Sequence, residues 1–201
     1  MGTISKTINV TGNSLMKNQD TSVEINPNVL GQIRFFVKNS KEPVIAHVDN
    51  LVSTDHCVTI GNKNKDKVML IEHFMAACAF CGIDSIDVNI SNYELPILDG
   101  SSFEWVKLFK NAGIKKSKQK FYTVSEPVYY LNGKTSLIVV PDKELYISYQ
   151  TVSDYCNNKV ESPMFNLMWE DDYFDEVLEP FKWEHKKRKE KKKWKLKSKT
   201  Q

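Results

Sequence analysis

Residues 68 to 84, VMLIEHFMAACAFCGID, are where the chain changes its period, and that change constrains the fold more than any other feature. Upstream, the runs TISKTINVTG, TSVEIN, QIRFFVK and VIAHV are rich in β-branched and aromatic residues and are separated by Gly, Asn, Pro and Lys. They read as strands of an antiparallel sheet. STDHCVTIG and KVML continue that pattern across GNKNKD, whose Gly, Asn and Asp suit a hairpin turn. Then Ile71, Phe74, Met75 and Cys78 fall at i, i+3, i+4 and i+7, and Gly82 stands where a helix commonly ends. The spacing predicts one amphipathic helix over 71 to 81.

The alternation returns in SIDVNIS, a strand, followed by the loop NYELPILDG. Ser101-x-x-Glu104 is a capping box ahead of FEWVKLFKNAG, which predicts a second helix with Phe103, Val106, Leu108 and Phe109 on its apolar face and Gly113 as terminator. Residues 115 to 120, KKSKQK, are charged and poor in apolar side chains, as an interdomain linker is. After them FYTVSEPVYYL, TSLIVVP and ELYISYQTV predict three strands, the first two joined by a turn at Asn132-Gly133. A third helix is expected from Asp171-Asp172, with Phe174, Val177, Leu178 and Phe181 on one face and Pro180 interrupting it. The expected divisions are a first domain at 1–114, a linker at 115–120, a partial second domain at 121–181 and a tail at 182–201.

With 41% hydrophobic and 26% charged residues in 201, the chain falls among ordinary globular proteins and can bury a real core. The N-terminus has neither the basic start nor the apolar run of a signal peptide. Position 6 is Lys, where a myristoylation motif needs Ser or Thr. A cytoplasmic address is expected. No apolar run approaches the roughly 20 residues of a bilayer span, so the triplets Asn9-Val-Thr11 and Asn89-Ile-Ser91 read as surface strand residues, not glycan acceptors. Cys57, Cys78, Cys81 and Cys156 are then free thiols.

Charge is unevenly spread. Residues 182 to 201 hold eleven Lys or Arg against two Glu, a local +9, which against an overall +3 leaves residues 1 to 181 at −6. Three readings fit this tail: a solvated, disordered end, a patch for phosphate-rich surfaces, or the out-of-frame product of an A-rich coding stretch, the last being favoured. Two tryptophans, Trp183 and Trp194, are too few for a base-stacking platform, so nucleic acid is not an expected partner.

Glu72-His73 at the predicted helix start has two explanations. A hydrogen-bonded His beside an N-terminal acid is a common polar corner. Alternatively, His73 binds a metal while Glu72 leans over a metal-bound water; consecutive helix residues do not share a face, so both cannot be ligands there. The His-Glu-x-x-His zincin spacing is absent, since Ala77 stands four residues after His73. His47, His56 and Cys57 are further potential ligands. Cys78 and Cys81 are adjacent at i and i+3, but no second pair accompanies them and buried packing explains them.

The neighbourhood decides between the two. Ile71-Glu72-His73-Phe74-Met75-Ala76-Ala77, Gly82-Ile83-Asp84-Ser85, Glu94-Leu95-Pro96-Ile97-Leu98-Asp99-Gly100-Ser101 and Ala112-Gly113-Ile114 stand in an order and spacing that resembles the N-terminal domain of the bacterial UDP-3-O-acyl-N-acetylglucosamine deacetylases, zinc amidohydrolases of lipid A biosynthesis. The similarity is strong in 71 to 114 and thinner upstream and downstream, fading at about residue 155. It implies an α+β fold of two similar halves, each a small sheet with two helices, the helices lying between the sheets, with the second half incomplete here. It also implies a zinc cofactor, a UDP-linked acylated glucosamine as substrate, a monomer, His73 as a zinc ligand and Glu72 as the general base. Asp99-Gly100-Ser101 is read as a turn and a cap, structural in role.

Two departures accompany the resemblance. The family's early Gly-Leu-His-Ser/Thr-Gly turn is here Asn13-Ser14-Leu15-Met16-Lys17-Asn18, without its His and final Gly. The family's His-Lys-x-x-Asp helix, which supplies the remaining ligands, has no counterpart. His185-Lys186-Lys187-Arg188-Lys189 has Lys where the Asp belongs and lies in a charge run that repels a cation. The chain is therefore expected to be C-terminally truncated or frameshifted and inactive alone. The competing expectation is a non-catalytic remnant or interaction protein with a basic tail.

Overall fold

A computed structural model describes residues 1–38, 40–115, 123–143 and 145–150, and the backbone alone of strands at 152–155, 158–161 and 165–168. The chain divides into two compact units, Met1–Lys120 and Phe121–Gln201. Both the third predicted helix and the Lys-rich tail lie outside the described residues, as do 116–120 of the predicted linker.

The first unit runs β1 (Thr3–Ile4), β2 (Ile8–Asn13), β3 (Asp20–Pro27), β4 (Ile33–Val37), β5 (Val44–Ile45), β6 (Leu51–Ser53), β7 (Thr59–Gly61), β8 (Lys67–Met69), α1 (Glu72–Cys81), β9 (Ile86–Ile90), α2 (Phe103–Ala112) and β10 (Ile114–Lys115). It is a mixed α+β structure. Five strands form one sheet in the order β2-β3-β9-β4-β5, and β6-β7-β8 form a smaller one. β10 returns to pair with β1, so Lys115 lies opposite Thr3.

The sheet is antiparallel as expected except at its centre, where β4 and β9 run parallel. The physical reason is the connection between them. Parallel neighbours need a crossover of a dozen or more residues, and residues 38 to 85 supply one that contains β5, the small sheet and α1. α1 is thereby carried across the sheet.

Alternation along the strands decides which face it covers. Ile33, Phe35 and Val37 of β4, Ile86, Val88 and Ile90 of β9, and Val23 and Ile25 of β3 are all buried. Their neighbours Arg34, Asp87, Asn89 and Glu24 point to the other, polar face. On that face Asp87 receives two hydrogen bonds from Arg34, at 2.8 and 2.6 Å, and one from the Asn28 amide at 2.6 Å. Burial pushes the Asp87 carboxyl up, but those bonds and the guanidinium charge outweigh it and hold it below the ordinary value.

Phe74 of α1 is fully buried, with its ring 5.7 Å from Phe35 on the sheet and 5.0 and 5.6 Å from Trp105 and Phe109 on α2. The two contacts to α2 are edge-on, the arrangement that the ring quadrupole favours. α1 ends as its sequence requires: Gly82 takes φ +65°, and the Gly82 and Ile83 amides bond the Ala79 and Cys78 carbonyls. The next residues serve the frame. Asp84 accepts the Gly2 amide at 2.7 Å, and the Asp84 and Ser85 amides return to the Gly2 carbonyl.

The apolar faces differ in detail from the sequence reading. In α1 Ile71, Phe74 and Cys78 are buried but Met75 is half-exposed, and Ala77 and Cys81 complete the buried side. In α2 the buried residues are Phe103, Trp105, Val106, Phe109 and Ala112, while Leu108 is half-exposed. No reciprocal capping box forms. Asp99 holds the Ser101 amide and hydroxyl, Ser101 Oγ accepts the Phe103 amide at 3.1 Å, and Glu104 turns to Lys107. Cys57, Cys78 and Cys81 are free and buried, and burial, reinforced by Cys81, pushes the Cys78 thiol up.

In the second unit β11 (Val128–Asn132) and β12 (Thr135–Val139) form a hairpin whose turn has Gly133 at φ +57°. β13 (Tyr146–Tyr149) pairs with β16 (Phe165–Met168), and β14 (Val152–Tyr155) with β15 (Asn158–Glu161), nested within it.

Two outcomes follow for stability. Phe74→Ala removes a ring packed on three sides and should cost about 3–5 kcal/mol in urea unfolding followed by tryptophan fluorescence. For Asp87, whose folded pKa lies below the unfolded value of about 3.9, the stabilisation is complete above that value and is lost as pH falls through the lower one. The stability gap between wild type and Asp87→Asn, measured from pH 6 to pH 2, should therefore close below about pH 4.

Candidate active site at the start of helix α1

α1 begins without a side-chain cap: Ile71 stands at the N-cap position and has no side-chain hydrogen bond to offer. Glu72 takes over the local bonding. Its Oε2 accepts the Val58 amide at 3.0 Å, while the Ile71 amide reaches back to the Val58 carbonyl at 3.5 Å. The first turn of α1 is thus tied to the segment leading into β7.

Immediately before it, Leu70 is buried and held at φ +61°, a left-handed conformation that costs a non-glycine residue about 1–3 kcal/mol unless the surroundings enforce it. The enforcement is visible on its N-terminal side. The Met69 amide donates to the Tyr93 carbonyl at 2.8 Å, and the Leu95 amide donates to the Met69 carbonyl at 3.2 Å. The chain must then reverse sharply at Leu70 to enter α1.

His73, next on the helix, is half-buried, and among the described residues no hydrogen bond or ion pair holds its imidazole. The polar-corner reading of the motif therefore applies to Glu72 alone. Among the described residues neither His47 nor His56 joins His73 in a group of three potential ligands. Each is exposed and lies beside its own carboxylate, His47 with Asp49 at 3.3 Å and His56 with Asp55 at 3.5 Å. Cys57 is buried against Thr59. Among the described residues no three His, Cys, Asp or Glu side chains cluster as a metal site requires.

Sequence reasoning missed one residue beside this site. Glu94 pairs alongside Met69, is 1% exposed, and accepts the Met16 amide at 2.7 Å through Oε1. Its Oε2 has no partner among the described residues. It fastens the turn at 14–19, itself closed by bonds between Ser14 and Gln19, to the strand that flanks Met69. The signal available in the sequence was an acid flanked by Tyr93 and by the apolar run Leu95-Pro96-Ile97-Leu98.

The family model for UDP-3-O-acyl N-acetylglycosamine deacetylase matches residues 1–182. The chain belongs to this family. Among its relatives, a UDP-3-O-acyl-N-acetylglucosamine deacetylase of Geotalea uraniireducens is 32% identical over 171 residues, 83% of this chain and 54% of the relative. That of Geobacter sp. strain M21 is 38% identical over 106 residues, 52% of this chain and 34% of the relative. That of Idiomarina loihiensis is 30% identical over 136 residues, 65% and 44% of the two chains. The chain spans about half the length, or less, of the curated deacetylases it matches. The family match also continues past residue 155, where the sequence resemblance was expected to fade, to the start of the Lys-rich run. No helix among the described residues is long and apolar enough to cross a membrane.

The Glu72–Val58 bond is open to a direct test. Glu72→Ala leaves the Val58 amide without its acceptor and should cost about 1 kcal/mol in thermal or urea unfolding, while Glu72→Gln, which keeps an acceptor oxygen, should cost less than half of that.

Proposed function

We propose that this chain carries the base and one metal ligand of a zinc-dependent deacetylase, Glu72 and His73, and that the described residues do not complete the site by themselves. The substrate on this reading is a UDP-linked acylated glucosamine whose N-acetyl group is hydrolysed, in lipid A biosynthesis. Family membership supports the reaction class. The observation that carries the assignment to residues is the contrast at the first turn of α1, where Glu72 is anchored and His73 is uncommitted.

The donor set fits part of a zinc site and not the whole. His73 would hold the ion, but a hydrolytic zinc needs about three protein ligands, and no such group exists among the described residues. When bound with its full ligand set, zinc lowers the pKa of a water from 15.7 to about 7.

The chain's own contribution is positional. The Val58 amide fixes one oxygen of the Glu72 carboxylate and leaves Oε1 uncommitted to receive a proton from a water beside His73. Leu70, reversed at φ +61°, directs both residues from the end of β8 into the helix. Glu94 pins the turn at 14–19 alongside the same strand end. Three buried free thiols and a nucleotide-linked substrate suit a cytoplasmic location.

Zinc binding to the purified full chain, followed by competition with a chromogenic chelator, tests this. Binding should be weaker than micromolar, removed by His73→Ala and retained by Glu72→Gln, and deacetylation of the UDP-linked substrate should be undetectable. Tight one-to-one zinc that survives His73→Ala would sink the ligand assignment, and turnover by the chain alone would sink the incomplete-site account.

A further inference from the structure

The triplets Asn9-Val10-Thr11 and Asn89-Ile90-Ser91 serve neither the core nor the start of α1 with their polar side chains. Alternate residues of a strand share a face, so each triplet sets an amide and a hydroxyl on one side of the sheet. β2 and β9 flank β3, and the register aligns all three. Asn9 stands opposite Glu24, Glu24 opposite Asn89, and Asn89 opposite Phe36 of β4. Two residues along, Thr11 stands opposite Ser22, whose amide donates to Ser91 Oγ at 2.9 Å. The polar face therefore carries a row of amide, carboxylate, amide and phenyl ring beside a row of three hydroxyls.

The two rows line a cavity of about 530 Å³, within the roughly 300–1,000 Å³ of small-molecule sites. Strand formation does not explain its lining, because Asn is among the residues depleted from strands. Nor do these groups satisfy one another. Glu24 accepts the Asn26 and Asn89 amides at 2.7 and 3.2 Å through Oε1, and its Oε2 takes no hydrogen bond among the described residues. The side chains of Asn9 and Thr11 form none either.

Charge narrows the ligand. Among the described residues no Lys or Arg lines the cavity, and Glu24 is its one charged group. Arg34, on the same face, is committed to Asp87. A carboxylate without a cation repels phosphate and other anions. Unspent amides, hydroxyls and a carboxylate oxygen call instead for a ligand that both donates and accepts hydrogen bonds, and the Phe36 ring calls for one with an apolar side. A pyranose ring has both, hydroxyls around its edge and C–H groups on its faces. Neighbouring groups in a row lie about 4.8 Å apart and the rows about 6.8 Å apart, a grid on the scale of such rings.

We propose that the polar face of the five-stranded sheet is a binding site for a neutral saccharide of one or two pyranose rings, stacked on Phe36, with its hydroxyls on Asn9, Glu24 and Asn89 and on Thr11 and Ser91 in the second row. The site lies on the opposite face of the sheet from α1 and uses neither Glu72 nor His73. Its failure and that of the zinc reading are therefore separate.

The test is nitrogen-15 NMR of the full chain titrated with cellobiose, maltose and lactose, with glucose 1-phosphate and tetralysine as charged counterparts. The side-chain amide resonances of Asn9 and Asn89 should move and saturate at millimolar concentrations of at least one disaccharide. Glu24→Gln and Phe36→Leu should each weaken that binding about fivefold, the worth of one ordinary contact, and Lys63→Glu in the loop after β7 should leave it unchanged. Backbone resonances away from the face report that each variant is folded. The absence of saturable shifts with all three disaccharides would overturn the proposal. So would tighter binding of glucose 1-phosphate or tetralysine, or saccharide binding that survives Asn9→Ala and Asn89→Ala together.

Discussion

Everything at the candidate site depends on where Phe74 sits. Its ring is held between the sheet, through Phe35, and the second helix, through Trp105 and Phe109. That contact fixes α1 in rotation as well as in position, because the helix has no charged side chain after Glu72 and His73 and is apolar around most of its circumference. An apolar helix of this kind gains little orientation from a polar face turned to water. Interlocking aromatic shapes supply it instead, and Glu72 and His73, at the two positions before Phe74, inherit it.

The site is then set by backbone bonds. Met69 is gripped by the strand at 93–95, Leu70 reverses the chain against its steric preference, and Glu72 closes the arrangement by taking the Val58 amide. A carboxylate that keeps one oxygen in a structural bond and the other uncommitted has lost most of its rotamer freedom before any substrate arrives. The same residue thus contributes to folding and to the proposed proton transfer. Glu94 works alongside it as a buried clamp on the turn at 14–19. That turn is also one of the two places where the sequence departs from the family pattern.

Much of this was legible in the sequence. The change from period two to period 3.6 at Ile71 and the glycine at position 82 located α1 to within a residue, because both are direct consequences of backbone geometry. What sequence could not supply was partnership across distance. The parallel pairing of β4 with β9 depends on a crossover that no local pattern records. The place of Trp105 in the aromatic cluster depends on which way α2 faces, and a face chosen by apolar spacing preferred Leu108. The capping box at Ser101 failed because α2 starts one residue later, with Ser102 at the N-cap position and Glu104 turned to Lys107. For the site, the identity of Glu72 and His73 came from linked motifs. Their difference in commitment, one bonded and one not, is visible only in the structure.

On the proposed function the helix start offers a single imidazole as a metal ligand beside an anchored base. The most direct measurement is nitrogen-15 NMR of the histidine side chains in the purified chain during a zinc titration. The His73 ring resonances should move with added zinc while those of His47, His56 and His185 do not, and His73→Ala should remove the response. Zinc-dependent shifts at His47 or His56 with His73 unmoved would contradict it.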